Sequence, residues 1–371
     1  MSPIFDRKSY SRFDRKLTCG REIWPVGLIV VASFGTFVAA PDAEGSPWAL
    51  PIDRLALTVS VDYSFATEEF LDARRAQPFP LEGFVQSTTF VPSLRYGLGR
   101  GWDVEASLPI KVVSYESDPV ILLGPSTGSP GEVFDGFQEN VLDFSQTQAG
   151  VADIELSLRK QWLQGARALA TQIVVKIPAG YRGPAGTFGE FPETQDEFLA
   201  NAVEFVRPGN IRDDVTLGDG QVDVTAWLHG GTATREGLFV RIGAGYRLRL
   251  DDAADQLVSE ARLGQALFGR FVVYGGYRWA YSVEDGRLIG VSIAADDPEL
   301  PATEYGGLSN LVVRELRLEN DELVVSGGVI FKIFPRIEIN VGYDRTVWGR
   351  NVSATNAFRL SIGYLVNLRE E

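Results

Sequence analysis

Arg54-Leu55-Ala56-Leu57-Thr58-Val59-Ser60-Val61-Asp62-Tyr63-Ser64-Phe65 places a large apolar residue at every odd position and a small, polar or charged one at every even position. That strict period of two predicts a strand with one apolar and one polar face. The same alternation returns to the end of the chain. At 102–115, Trp102, Val104, Ala106, Leu108, Ile110 and Val112 share one face, and Asp103, Glu105, Ser107 and Lys111 the other. A soluble sheet buries its apolar face against a second layer. Long two-faced strands with nothing to cover them imply a closed barrel whose apolar side meets lipid.

Strands are expected at 54–65, 84–96, 102–115, 152–162, 166–177, 221–229, 238–250, 256–267, 271–283, 322–333, 336–348 and 355–368. The fold class is all-β: an antiparallel up-and-down transmembrane β-barrel of twelve strands, or alternatively fourteen, with long extracellular loops and one short loop helix. Residues 312–318 read as an extension of a hairpin above the membrane, pairing with 286–294. Short connections (97–101, 163–165, 230–237, 268–270, 334–335) mostly alternate with long ones (66–83, 117–150, 178–219, 284–320). Short periplasmic turns and long outer loops are the habit of outer-membrane barrels. With that orientation Trp102 and Trp162 fall at the periplasmic rim, and Tyr63, Phe65, Trp279 and Tyr281 at the outer rim, as interfacial girdles require. Strand 54–65 should close the barrel against 355–368, where Phe358, Leu360, Ile362 and Tyr364 keep the alternation.

Composition fits this architecture. The 371 residues carry a net charge of -14 with one Cys, one Met and one His. Mean hydropathy is near zero, and a single apolar run, 23–40, approaches the length of a spanning helix. Basic residues lead into that run and small residues follow it, so 1–45 reads as a signal peptide with an N-terminal extension, and 46–371 as the barrel domain. A retained membrane anchor is the alternative. Cys19 precedes the run, so the mature barrel would hold no cysteine, which suits an oxidising compartment. The expected location is the outer membrane of a Gram-negative-type cell. The acidic balance argues against a nucleic-acid partner.

Two stretches carry a family resemblance. Ser93-Leu94-Arg95-Tyr96-Gly97-Leu98-Gly99-Arg100-Gly101-Trp102-Asp103-Val104-Glu105-Ala106-Ser107-Leu108-Pro109 resembles the hairpin of outer-membrane barrels of the "MetA pathway of phenol degradation" group, and equally that of a related, uncharacterised barrel family. Gly150-Val151-Ala152-Asp153-Ile154-Glu155-Leu156-Ser157-Leu158 resembles the strand that follows, usually Gly-Leu-Gly-Asp-Ile; Val151 and Ala152 depart from it. The resemblance implies an outer-membrane location and passage of small apolar or aromatic molecules. Near the end, Ser361, Gly363, Val366 and Leu368 are similar to the C-terminal signal read by the barrel-assembly machinery, though that signal usually ends on an aromatic.

Little in the chain suggests catalysis. His229, the sole histidine, is expected at the periplasmic rim beside Gly230-Gly231, with no nearby serine motif for a nucleophile–base pair. His or Cys metal clusters are excluded by counting, and no cofactor motif is visible. The polar faces supply candidate lumen-lining residues of both signs: Asp62, Asp103, Glu105, Asp153, Glu155, Arg159, Asp223, Arg241, Arg247, Arg249, Arg278, Glu338, Asp344 and Arg359. Thr194-Gln195-Asp196-Glu197 has capping-box form, so a short helix should follow. Its residues Phe198, Leu199, Val203 and Phe205 are candidates for a gate over the mouth, or for a helix packed on neighbouring loops. Two functions fit. One is a passive channel for small, apolar or aromatic solutes. The other is a structural or adhesive barrel with a closed, salt-bridged lumen and functional outer loops. Outer-membrane lipid is the expected partner in both.

Overall fold

The computed structural model describes residues 46–71, 75–118, 120–121, 141–142, 144–186, 192–203, 215–251, 253–295 and 311–368. The leader expected at 1–45 lies outside these residues. The barrel strands are β1 (Arg54–Ala66), β2 (Phe84–Gly99), β3 (Trp102–Ser107 continued by Ile110–Glu116), β4 (Gln146–Val151 continued by Asp153–Leu163), β5 (Arg167–Pro178), β6 (Asp223–Ala233), β7 (Leu238–Arg249), β8 (Gln256–Leu267), β9 (Phe271–Ser282), β10 (Asp321–Phe334), β11 (Ile337–Arg350) and β12 (Asn356–Asn367). Fourteen hydrogen-bonded segments form one sheet, but β3 and β4 each contribute two, so the barrel has twelve strands. β1 pairs antiparallel with both β2 and β12, which closes it. The closing register sets Leu55 opposite Val366, Val59 opposite Ile362 and Asp62 opposite Arg359.

The sequence alternation becomes an inside and an outside. On β1, Val59 is 41% exposed whereas Ser60 is 1% exposed. Every strand from β4 to β12 turns Leu, Ile, Val, Phe or Tyr outward in the same way. A continuous apolar belt of this extent is far larger than the patches a soluble monomer exposes. Aromatic residues sit at its ends. Lys160 lies over the Trp102 and Trp162 rings at 5.0 and 5.5 Å near the short turns, and Trp279 stacks on Tyr281 at 5.6 Å at the opposite end.

Three details depart from the sequence expectation. β4 begins at Gln146, not at 152, because Gln146–Val151 pairs with the upper half of β3; its Gln, Thr and Gly residues are too polar to show two faces. Between the two halves one extra residue is inserted: Ser107 faces Glu155, yet Ile110 faces Val151, so four steps on β4 match three on β3. This is a β-bulge at Ala152. Finally, β6 runs on to Ala233 through Gly230-Gly231, which moves His229 from the rim into the strand interior. The hairpin Leu288–Ala295 with Leu311–Arg317 stands apart from the barrel, so it adds no wall strands.

The belt is checked by depth. Val59→Arg should destabilise the lipid-refolded barrel by about 2–4 kcal/mol, and Leu55→Arg, near the rim, by about 0–1 kcal/mol. Urea unfolding in bilayers reads both, and equal losses would contradict this placement.

Candidate functional site

The lumen divides into three levels. Across the middle, Asp62 Oδ1 pairs with Arg359 Nε at 2.5 Å, Arg359 Nη2 with Asp344 Oδ2 at 3.3 Å, and Asp344 Oδ2 with Arg278 Nη2 at 3.7 Å. Nearer the short turns the space is filled by side chains. Arg159, Gln172, His229, Arg241, Glu260, Arg262, Glu338 and Asn340 are all buried there. Arg159 donates through Nε and Nη2 to Gln172 Oε1 at 3.3 and 2.9 Å. His229 Nε2 meets the same oxygen at 3.1 Å. Because Gln172 Oε1 only accepts, the His229 proton sits on Nε2. The imidazole also stacks on Trp227 at 5.3 Å, and its Nδ1 lies 3.8 Å from Glu260. Arg262 covers the Tyr274 ring at 4.6 Å, while Tyr274 donates to Asn340. His229 is thus a packed member of a polar network, not a rim residue. Some buried polar atoms of this level, Arg159 Nη1 and Glu338 Oε2 among them, have no hydrogen-bond partner among the described residues.

Below this level, a segment outside the barrel wall crosses the mouth at the short-turn end. Residues 46–52 enter beside the β2–β3 turn and run inside the wall. The Asp53 amide donates to Gly97 O at 3.1 Å, and Leu50 N donates to Asp103 Oδ2 at 2.9 Å. Ala49 N donates to Gln161 Oε1 at 2.9 Å and Trp48 Nε1 to Gly165 O at 3.1 Å. Arg95 Nη2 donates to both Trp48 O (2.7 Å) and Asp103 Oδ2 (2.6 Å). Trp48 belongs to one buried apolar cluster with Ala168, Ala233, Phe239, Val272, Tyr274 and Ile330, from β5, β6, β7, β9 and β10. Two glycines make the room. A Cβ on Gly97 would lie 2.0 Å from Pro51 O, and one on Gly231 2.7 Å from Pro47 and 2.8 Å from Trp48. Glu105 is the register partner of Arg95 on the same wall.

Toward the outside lies a cavity of about 330 Å³. Its polar lining includes Glu155, Lys176, Asp223, Arg247, Glu260, Arg278 and Glu322. One side is apolar: Val174, Trp227, Val258 and Ala280 cluster there. Gly245 lets the indole lie flat, since a Cβ would come within 3.1 Å of the ring. At the rim, Lys176 Nζ reaches Asp219 (2.6 Å), Asp223 (2.7 Å) and Asp153 (3.7 Å), and Arg249 Nη2 reaches Asp219 at 2.5 Å. Tyr181 donates to Asp153, and Arg247 to Gln256 at 2.9 Å. Burial raises the Asp219 carboxyl, but the charges of Lys176 and Arg249 outweigh it and hold the group below the ordinary 3.8.

The loop helix α1 (Gln195–Val203) starts at Thr194, whose Oγ1 accepts from Glu197 N at 3.2 Å, while Glu197 Oε2 accepts from Glu193 N at 3.0 Å. It packs against the 311–317 strand of the outer hairpin, with Leu199 exposed and Phe198 half-buried. The Val203 side chain and Phe205 lie outside the described residues. Among the described residues, no group of three or more His, Cys, Asp or Glu is placed to hold a metal ion. Sequence reading missed Arg95, Gln172, Lys176, Glu260, Arg262 and Asn340. Each sits at a polar-face position, so continuing the period of two through the weakly patterned β8 finds Glu260 and Arg262. Residues 46–52 carry no periodic signal that assigns them to the lumen.

No family model matches the sequence, and no curated protein matches it. Among solved structures, an outer-membrane channel from Pseudomonas putida F1 aligns with a TM-score of 0.55 at 11% identity, over 88% of this chain and 99% of that one. The NanC porin aligns with a TM-score of 0.42 at 7% identity over 83% and 98%. The CymD monoaromatic hydrocarbon channel aligns with a TM-score of 0.37 at 10% identity over 86% and 90%. The likeness to the Pseudomonas putida channel is one of fold, the closed outer-membrane barrel.

Two outcomes follow from this geometry. Gly231→Val should push Pro47 and Trp48 off their seat, so that a cysteine placed at Ala49 becomes open to periplasmic maleimide; protection as in the unaltered seat would contradict the steric argument. Asp219 has a depressed folded-state value, so its hold on the rim is complete above the unfolded value and is lost as pH falls through the lower, folded one. Amide exchange of 215–221, corrected for intrinsic pH dependence, should rise only below about pH 3.8. Asp219→Asn should remove that transition.

Proposed function

We propose that this chain forms a passive channel of the outer membrane for small molecules, delivered there by the leader at 1–45. The observation that carries this reading is the 330 Å³ cavity inside the barrel, separated by the packed inner level from a chain segment outside the wall, 46–52, that closes the opposite mouth. A lumen meant only to stabilise the barrel could be filled from its own strands. Here a non-strand segment closes one end, and the outer half is left hollow.

The cavity lining supports a solute class. Charges of both signs surround an apolar wall of Val174, Trp227, Val258 and Ala280, a surface suited to a molecule with a flat apolar part. The resemblance of 93–109 and 150–158 to the MetA-type barrels supports the same class. The lumen residues of the middle and outer levels, Asp62, Glu155, Arg247, Arg278, Asp344 and Arg359 among them, would meet the solute. Phe198 and Leu199 on α1 would gate the outer mouth. Ser361, Gly363, Val366 and Leu368 on the closing strand would be read by the barrel-assembly machinery.

The packed inner level favours a second reading, a structural or adhesive barrel with a closed lumen. Liposome swelling and single-channel recording separate the two. The channel reading expects small, rare openings in the full-length barrel and a larger conductance once residues 46–52 are deleted. Absence of solute uptake and of conductance in both forms would leave the closed-lumen reading standing alone.

A further inference from the structure

Toward the short turns from the cavity lies a second, smaller void of about 10 Å³, room for roughly one water molecule. Its polar lining is Arg241, Glu260, Arg262, Arg278, Ser326 and Asp344. Glu260 and Arg278 line both spaces. They are register partners on β8 and β9, so this pair is the partition that the cavity and the void share.

The side chains around the partition differ in how firmly they are held. Arg241, Glu260 and Arg262 are buried, and Arg262 lies over the Tyr274 ring. The Arg278 side chain is 38% exposed and meets Asp344 Oδ2 at 3.7 Å. A partly exposed ion pair of that length is weak. Asp344 has a closer partner in Arg359 Nη2 at 3.3 Å, and Arg359 is itself anchored on Asp62. Asp344 therefore keeps a cation when Arg278 swings away. Beyond Arg278 this side of the lumen is made of small residues. Gly276 faces Ser326, Ser326 faces Asp344, and Gly328 faces Gly342. Tyr274 lies over the last pair, since a Cβ on Gly328 would come 2.5 Å from its hydroxyl. Tyr274 also belongs to the cluster that seats Trp48. The β4–β8 side of the same level is filled instead by Arg159, Gln172, His229 and Arg241.

We infer that the way inward from the cavity runs past Arg278 along the β9–β11 side, and that Arg278 is both its gate and its charge filter. This rests on the channel reading above. The sign of the filter follows from the linings. Glu155, Asp223, Glu260 and Glu322 face Lys176, Arg247 and Arg278 across the cavity, so carboxylates prevail there. In the void Arg241, Arg262 and Arg278 prevail over Glu260 and Asp344. Arg278 is the one cation common to both linings. Its charge makes the step inward positive, where little water is present to screen it. Without it the void is balanced and the cavity more acidic, so the passage turns toward cations.

The test replaces that charge chemically. Cys19 is the chain's only cysteine, so Arg278→Cys in a Cys19→Ser background carries a single thiol. In planar bilayers this variant should conduct more than the unaltered barrel. Its reversal potential in a potassium chloride gradient should shift toward cation preference. The cationic reagent 2-(trimethylammonium)ethyl methanethiosulfonate restores a positive charge and should return the potential. The anionic 2-sulfonatoethyl reagent should drive it further the other way. A substitution that merely loosened the packing would raise conductance without following the sign of the reagent. Arg278→Lys, which keeps the charge, should keep the potential. Heat-modifiable mobility confirms folding, and mass spectrometry confirms labelling. Failure of the thiol to label, or potentials that ignore the sign of the attached charge while the barrel conducts, overturns the gate and leaves the channel reading intact. If the unaltered barrel and every variant pass neither ions nor solute, the channel reading falls and the gate with it.

Discussion

Everything in this molecule depends on one constraint: inside hydrocarbon, each backbone N–H and C=O must find a partner within the protein. An open sheet has two edges and cannot satisfy it. The β1–β12 seam satisfies it, with twelve residue pairs from Arg54 and Asn367 to Phe65 and Asn356 in register. The seam also fixes parity. Slipping it by one residue would turn Val59 and Ile362 inward and bury Ser60 and Ser361 in lipid. Closure and sidedness are the same fact seen from two directions, which is why a simple alternation of residue types specifies so much of the fold.

Closure creates a second problem, the interior. Eight strands enclose little more than their own side chains and sixteen enclose a water channel; twelve lie between. The chain divides the difference by level. The inner level is filled with long side chains, Arg159, Arg241 and Gln172, whose charges and donors need partners because so little water reaches them. The Arg95–Asp103 pair shows how this links to the mouth. Asp103 accepts from both Arg95 and the Leu50 amide, and Arg95 also donates to Trp48 O. Removing the 46–52 segment would leave this pair short of two hydrogen bonds. The segment and the buried pair therefore stabilise each other, and neither is independent of the barrel's pore.

What the sequence discloses and what it hides follow from these causes. Strand number, order and facing are readable because lipid outside and water or polar atoms inside impose opposite demands on alternate residues, as at Leu57 and Thr58. The capping box at Thr194 is readable because it is local. His229 is misjudged because Gly230-Gly231 looks like a turn, whereas Gly231 is there to clear Trp48, a contact across 183 positions in the chain that no local pattern encodes. The start of β4 is missed because Gln146–Val151 lacks an apolar face. The seat of residues 46–52 is hidden for the same reason as the glycine clearance: its partners, from Gly97 to Ile330, converge only when the barrel has closed.

The closures of the lumen differ in physical kind, and that difference bears on what each can pass. The closure by residues 46–52 combines directional hydrogen bonds with a buried tryptophan, so it opens only when several bonds break together. The loop at Val215 and Leu217 lies on the wall through apolar side chains and is also tied by Lys111 to the Thr216 and Leu217 carbonyls and by Asp219 to Lys176 and Arg249. Apolar contacts are non-directional and tolerate sliding, whereas the hydrogen bonds that seat residues 46–52 are directional and do not.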